Sequence, residues 1–136
     1  MKTTKKIFNG TLAVILGVSM ITTTITAQPK PWNVPANFKS MANPVAKGDA
    51  STKAGMALWT KNCASCHGKM GLGDGVKARM LTTSPGNFSA AAFQNQTDGE
   101  IFFKTKTGRD EMPKYEGKLT DDDIWNIVNF TRTLKK

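Results

Sequence analysis

The run Cys63-Ala64-Ser65-Cys66-His67 holds both cysteines and the single histidine of this 136-residue chain. Its C-x-x-C-H spacing is that of a covalent attachment site for a c-type haem. Two thiols separated by two residues each add to one vinyl group of the porphyrin. The imidazole that follows the second thiol is then held under the iron as its proximal ligand. The chain has one full set of groups for one haem and no cysteine or histidine to spare.

Two other chemistries use a Cys-x-x-Cys pair. A thiol–disulfide redox site expects a βαβ context, whereas this motif ends a helical run. A structural zinc site wants four ligands, commonly Cys and His. Only three such residues exist here, packed into five positions. Haem attachment accounts for the motif better than either.

Far upstream, Met1-Lys2-Thr3-Thr4-Lys5-Lys6 is a basic start, Leu12 to Ile21 is an apolar core, and Thr22 to Ala27 is small and polar-leaning. This pattern predicts a signal peptide over residues 1–27, with cleavage before Gln28. The core is shorter than the roughly 20 apolar residues of a membrane span. If left uncleaved, the segment would serve as a membrane anchor. The expected location is periplasmic or otherwise extracytoplasmic, where thioether formation is also expected. No cysteine lies near the cleavage point to take a lipid.

The formal charge of the whole chain is +9, from 19 basic and 10 acidic residues. Three of the basic residues leave with the signal, so residues 28–136 carry 16 basic against 10 acidic, a balance of +6. Such a surface favours docking to an acidic protein face or to an anionic membrane. No run of basic residues points to nucleic acid. The lysines expected to flank the cofactor are Lys69, Lys77, Lys104, Lys106 and Lys114.

Residues 28–50 form a leader spaced by Pro29, Pro31, Pro35 and Pro44, which predicts extended or turn structure. Trp32, Val34, Phe38 and Val45 could lay it on the domain surface, or it could be a flexible tether. Residues 51–136 are read as one haem domain, small enough for the cofactor to supply much of its core. Ser51 is expected to start the first helix, with Gly55, Leu58, Trp59 and Asn62 at helical spacing. Gly71, Gly73 and Gly75 follow the motif, match no phosphate-binding pattern, and are expected to let the backbone pass close to something flat. Thr97-Asp98-Gly99-Glu100 has capping-box spacing and opens a second helix, which Gly108 ends. Thr120-Asp121-Asp122-Asp123 is a second box. Ile124, Ile127, Val128, Thr131 and Leu134, with Phe130 beside them, form one stripe of the last helix. No alternating strand pattern appears, so the expected fold class is all-α, with three main helices and long loops.

A single histidine excludes bis-histidine ligation within the chain. Methionine, a weaker ligand such as lysine, or nothing must face the iron from the other side. Met56 precedes the motif on the same helix, Met70 is too near His67, and Met41 lies in the leader. Met112 stands in a loop before Pro113 and is the favoured distal ligand; Met80 is the next candidate. A His67/Met112 pair would raise the reduction potential.

From Ser51 to Leu134 the chain resembles a monohaem c-type cytochrome of class I. The resemblance implies the cytochrome c fold around one covalent haem c. It also implies a helix crossing of Gly55 and Trp59 over Ile127 and Phe130. Pro85 matches the family's proline whose carbonyl accepts the proximal histidine N–H, which would orient the ring and raise its basicity. Met112-Pro113 matches the distal ligand loop. The cofactor-binding set is thus Cys63, Cys66, His67, Pro85 and Met112, with His67 and Met112 on the metal. Trp59, Arg109 and Tyr115 are candidates for reaching the propionates. The implied function is single-electron transfer between extracytoplasmic redox partners, without catalysis of a substrate's chemistry. The alternative is a haem c subunit of a larger dehydrogenase or oxidase complex. A third reading, an open-site enzyme or gas sensor, lacks a second histidine to act as distal acid.

Overall fold

The structure, a computed structural model, describes residues 31–136. The signal peptide expected over residues 1–27 lies outside them. Six helices follow in order: α1 (Ala36–Lys39), α2 (Asp49–Asn62), α3 (Ala64–His67), α4 (Ala91–Gln94), α5 (Asp98–Thr107) and α6 (Asp121–Arg132). A single 3-10 turn lies at Ala78–Met80. Among the described residues there is no sheet, only two isolated bridges. The fold is the all-α one expected, with α2, α5 and α6 as its main helices.

Local chemistry explains where the long helices begin. Thr97 and Glu100 form a complete capping box on α5, and Thr120 and Asp123 form one on α6. Each satisfies two otherwise orphaned N–H groups at a helix start. Helix α2 begins at Asp49, two residues before the expected Ser51. The Ser51 hydroxyl instead donates back to the Gly48 carbonyl inside the first turn.

The core forms where α2 crosses α6. A Cβ at Gly55 would come within 2.0 Å of the Asn126 carbonyl oxygen. Only glycine lets the two backbones meet there, and a small residue at the crossing sets the approach distance. Trp59, Cys63, Ile127, Phe130 and Leu134 bury themselves around this crossing. A second cluster joins Ile101 and Phe102 of α5 to Ile124, Trp125 and Val128 of α6, with Tyr115. The Phe102 and Trp125 rings stack at 4.1 Å.

The leader is not extended throughout. Pro35 sits at the N-cap of α1 with φ −60°, a backbone angle that proline supplies at a helix start. Val34 is buried, Phe38 packs on Phe103 at 4.8 Å, and Val45 packs against the second cluster. Asn43 donates to Asn129 of α6 over 2.8 Å. The described leader therefore lies against the domain, and the 50/51 boundary falls inside helix α2.

The glycines after the motif meet the chain itself and do not line the cavity described below. Gly73 has φ 78°, and a Cβ there would meet the Gly86 carbonyl at 2.7 Å. This close approach joins the loop after α3 to the loop carrying Pro85.

Candidate functional site

A cavity of about 490 Å³ opens between α3, the 81–85 loop and the 109–113 turn. Its lining includes Cys63, Cys66, His67, Pro85 and Met112. Residues spread over 50 positions of sequence are thus brought to one concave surface, in the size range of ligand sites.

Helix α2 delivers Cys63, whose N–H closes the helix onto Trp59 over 2.8 Å. The one-turn helix α3 then turns Cys66 and His67 toward the cavity, held by a 2.9 Å bond from the His67 N–H to the Cys63 carbonyl. Both thiols are free. Burial, with Cys66 adding to it, pushes the Cys63 thiol up to about 12. It is held as an uncharged thiol in an apolar wall.

The His67 ring sits between Phe88 at 4.8 Å and Trp59 at 5.6 Å. Burial holds the imidazole below its usual pKa, with the Pro85 carbonyl acting in the opposite sense. The ring is therefore neutral and able to donate a nitrogen lone pair. The carbonyl's approach stops short of a formed hydrogen bond, and the buried Nδ1 has no hydrogen-bond partner among the described residues. The indole Nε1 of Trp59 donates to the Gly68 carbonyl over 3.0 Å. Trp59 thus supports the motif from the core and does not line the cavity.

Met112 is held by a tight turn. The Arg109 N–H donates to the Met112 carbonyl over 2.9 Å, and the Met112 N–H returns a 2.8 Å bond to Arg109. Asp110 closes this turn with φ 51°. Glu111, at its tip, accepts from the Thr82 N–H, the Thr82 hydroxyl and the Thr83 N–H at 2.8, 2.8 and 3.2 Å. This clamp ties the Met112 turn to the Pro85 loop across the cavity mouth. Met80 is 74% exposed and, like Met41, Met56 and Met70, is absent from the lining.

Several lining residues escaped sequence reasoning, among them Trp32, Leu81 and Glu111. Trp32 packs its ring on the Arg109 guanidinium at 4.4 Å, so the leader contributes to the cavity wall. The Tyr115 hydroxyl donates to the Asn62 carbonyl over 2.6 Å. Among the expected docking lysines, Lys77 lines the cavity. Lys106 pairs with Asp121 over 2.8 Å, and Lys104 donates to Gln96.

Two free thiols, a neutral buried imidazole with an unpartnered nitrogen, and one thioether around a single cavity form a donor set that fits a covalently attached haem. No group of three or more His, Cys, Asp or Glu residues able to hold a metal ion occurs among the described residues. No helix among them is long and apolar enough to cross a membrane.

Residues 50–130 match the family model described as cytochrome C oxidase, cbb3-type, subunit III. Over 76 residues the chain is 28% identical to cytochrome c6 of Parathermosynechococcus lividus, covering 56% of this chain and 82% of that one. It also resembles the solved c-type cytochrome KustC0563, with TM-score 0.54 and 28% identity, over 60% of this chain and 98% of that one. A third likeness is to a chain of the Kuenenia stuttgartiensis reducing HAO-like protein complex, with TM-score 0.63 and 23% identity. It covers 68% of this chain but only 47% of that one, and it speaks for the fold alone.

Proposed function

This chain belongs to the cytochrome c family, through its match to the cbb3-type subunit III model over residues 50–130, and we propose from that premise that it shuttles single electrons between extracytoplasmic redox partners. Haem c is its cofactor, covalently held, and supplies a reversible one-electron couple. Cys63 and Cys66 are the attachment thiols. His67 would be the proximal ligand, its ring packed between Trp59 and Phe88, with Pro85 beside it in the cavity wall. Met112 is the distal ligand.

The observation that carries this reading is the convergence of these five residues on one cavity, with Met112 the one described methionine in its wall. Each part of the chain has a task there. The ring packing of Trp59 and Phe88 fixes the imidazole. The Glu111 clamp holds the two loops that bear Pro85 and Met112. A haem held by His67 and the Met112 thioether would have a raised reduction potential.

A second reading is a haem subunit of a larger redox complex. It is favoured by the matched family's description as an oxidase subunit. Both readings share every site residue. Lys77, at the cavity edge, and the positive balance of the chain favour a partner with an acidic face. The predicted signal favours a location outside the cytoplasm.

The experiment is a potentiometric titration of the purified protein followed by absorption, with electron-transfer rates measured across ionic strength. One reversible one-electron wave, with rates that fall as salt rises, is expected. A catalytic current with a small substrate and no one-electron wave would contradict the carrier reading. Stable co-purification with a partner protein selects the subunit reading over the free carrier.

A further inference from the structure

We propose that the N-terminal leader is a strap whose Trp32 braces the Met112 turn and so sets how tightly the distal side of the cavity is closed. The inference rests on the reading of Met112 as distal ligand and assigns the leader a positioning role that this reading does not require.

Contacts at both ends of the strap carry it. The leader is anchored at several points remote from the cavity. Val34 is 5% exposed, Phe38 packs on Phe103, and Asn43 is bonded to Asn129. Asn129 in turn donates to the Val45 carbonyl over 3.2 Å. Trp32 stands two residues before Val34, so its position is fixed by a segment already folded onto the domain. Its ring lines the cavity and meets the Arg109 guanidinium at 4.4 Å, well inside the range of a cation–π contact. Arg109 is also the residue that exchanges both backbone hydrogen bonds with Met112. A rigid path therefore runs from the strap, through Trp32 and Arg109, to Met112.

The same turn is held on its other side by Glu111 and the 82–83 backbone. Two independent braces converge on four residues. Opening of the turn requires only local loss of these contacts, so each should shift its opening equilibrium without unfolding the domain. A partly desolvated cation–π contact corresponds to a shift of roughly 2- to 30-fold in that equilibrium.

The test uses the full mature haem-loaded protein with Trp32→Ala and Trp32→Phe. Two readouts are taken: hydrogen exchange at the Arg109 and Met112 amides, and carbon monoxide binding to the reduced protein. Trp32→Ala is expected to speed both by roughly 2- to 30-fold, with the Cys63 and His67 amides unchanged. Trp32→Phe, which keeps an aromatic face, should fall between parent and Trp32→Ala. It decides the matter alone if Trp32→Ala does not fold. Parent-like exchange at both turn amides overturns the proposal. Faster exchange with unchanged carbon monoxide binding also overturns it, because the turn would then open without uncovering the site. Met112→Ala is run in parallel. If that variant shows Met112 not to be the ligand, the ligand reading fails, and the exchange readout by itself still decides whether Trp32 braces the turn.

Discussion

The Trp59 indole N–H is bonded to the Gly68 carbonyl over 3.0 Å, beneath the site. Gly68 directly follows His67, so this bond fixes the exit of the attachment motif to the last turn of α2. Trp59 is 2% exposed. Replacing it by Phe would keep most of the packing but remove one of the two donors to the Gly68 carbonyl, which also accepts from the Gly71 N–H over 3.2 Å. Trp59→Phe is therefore expected to cost about 0.5–1.5 kcal/mol, read by chemical denaturation of the haem-loaded protein. A loss below a few tenths would mean that the indole bond adds nothing to the Gly71 contact.

The α2–α6 crossing gives a sharper steric prediction. At Gly55 any Cβ meets the Asn126 carbonyl oxygen, which is backbone and cannot rotate away. Gly55→Ala gains helix propensity of about 1 kcal/mol but forces the helices apart. The expected net effect is a loss of about 1–3 kcal/mol, and Gly55→Val should lose more. A stabilised Gly55→Ala protein would show that the crossing is looser than described.

Tyr115 is the one tyrosine of the chain, so its ionisation can be followed directly by near-ultraviolet absorption. Burial, with Cys63 and Cys66 adding to it while they are free thiols, raises its pKa from 10.0 to about 12, and burial alone keeps it raised once both are thioethers. A raised acid contributes stability that is complete below pH 10.0 and is lost as pH rises toward about 12. The tyrosinate midpoint should lie well above the ordinary value. Stability should fall over that alkaline window in the parent and less in Tyr115→Phe. An ordinary midpoint would place the hydroxyl in water and not on the Asn62 carbonyl.

Glu111 makes the opposite case. The Thr82 hydroxyl, against an opposing effect of desolvation and with help from the Thr83 and Thr82 N–H groups, holds its carboxyl below the ordinary 4.5. A depressed carboxyl contributes stability that is present above 4.5 and lost as pH falls through its folded value. The clamp should loosen in acid. The difference in thermal midpoint between parent and Glu111→Gln should therefore shrink below pH 4.5. A difference independent of pH would mean that the carboxylate charge does not hold the loops.

Much of this architecture is legible in the amino-acid order because its signals are local. The C-x-x-C-H run is five consecutive residues, and each capping box spans four. The stripe from Ile124 to Leu134 repeats at helical spacing and is buried as read. What escapes is held by distant partners. Helix α4 has no side-chain cap; Gln94 fixes it by donating to the Phe88 and Thr131 carbonyls. Helix α1 is a single turn among prolines, and its segment is docked through Asn43 to a residue 86 positions away. Trp125 lies off the apolar stripe yet is buried because Phe102 of α5 stacks on it. At the site, the attachment residues can be read from spacing alone. The contributions of Trp32 and Glu111 depend on which loops meet across the cavity, and no short-range pattern encodes that.

The holding of an electron-carrying haem by His67 and Met112 is the proposal on which the function rests. It is tested most directly by absorption spectra and reduction potentials of the parent, Met112→Ala and Met80→Ala, each in both redox states. Met112→Ala is expected to lose the weak red band of a sulfur–iron bond and to show a lower potential, while Met80→Ala, altered at an exposed position, keeps both. Loss of the band in Met80→Ala with its retention in Met112→Ala would contradict the account.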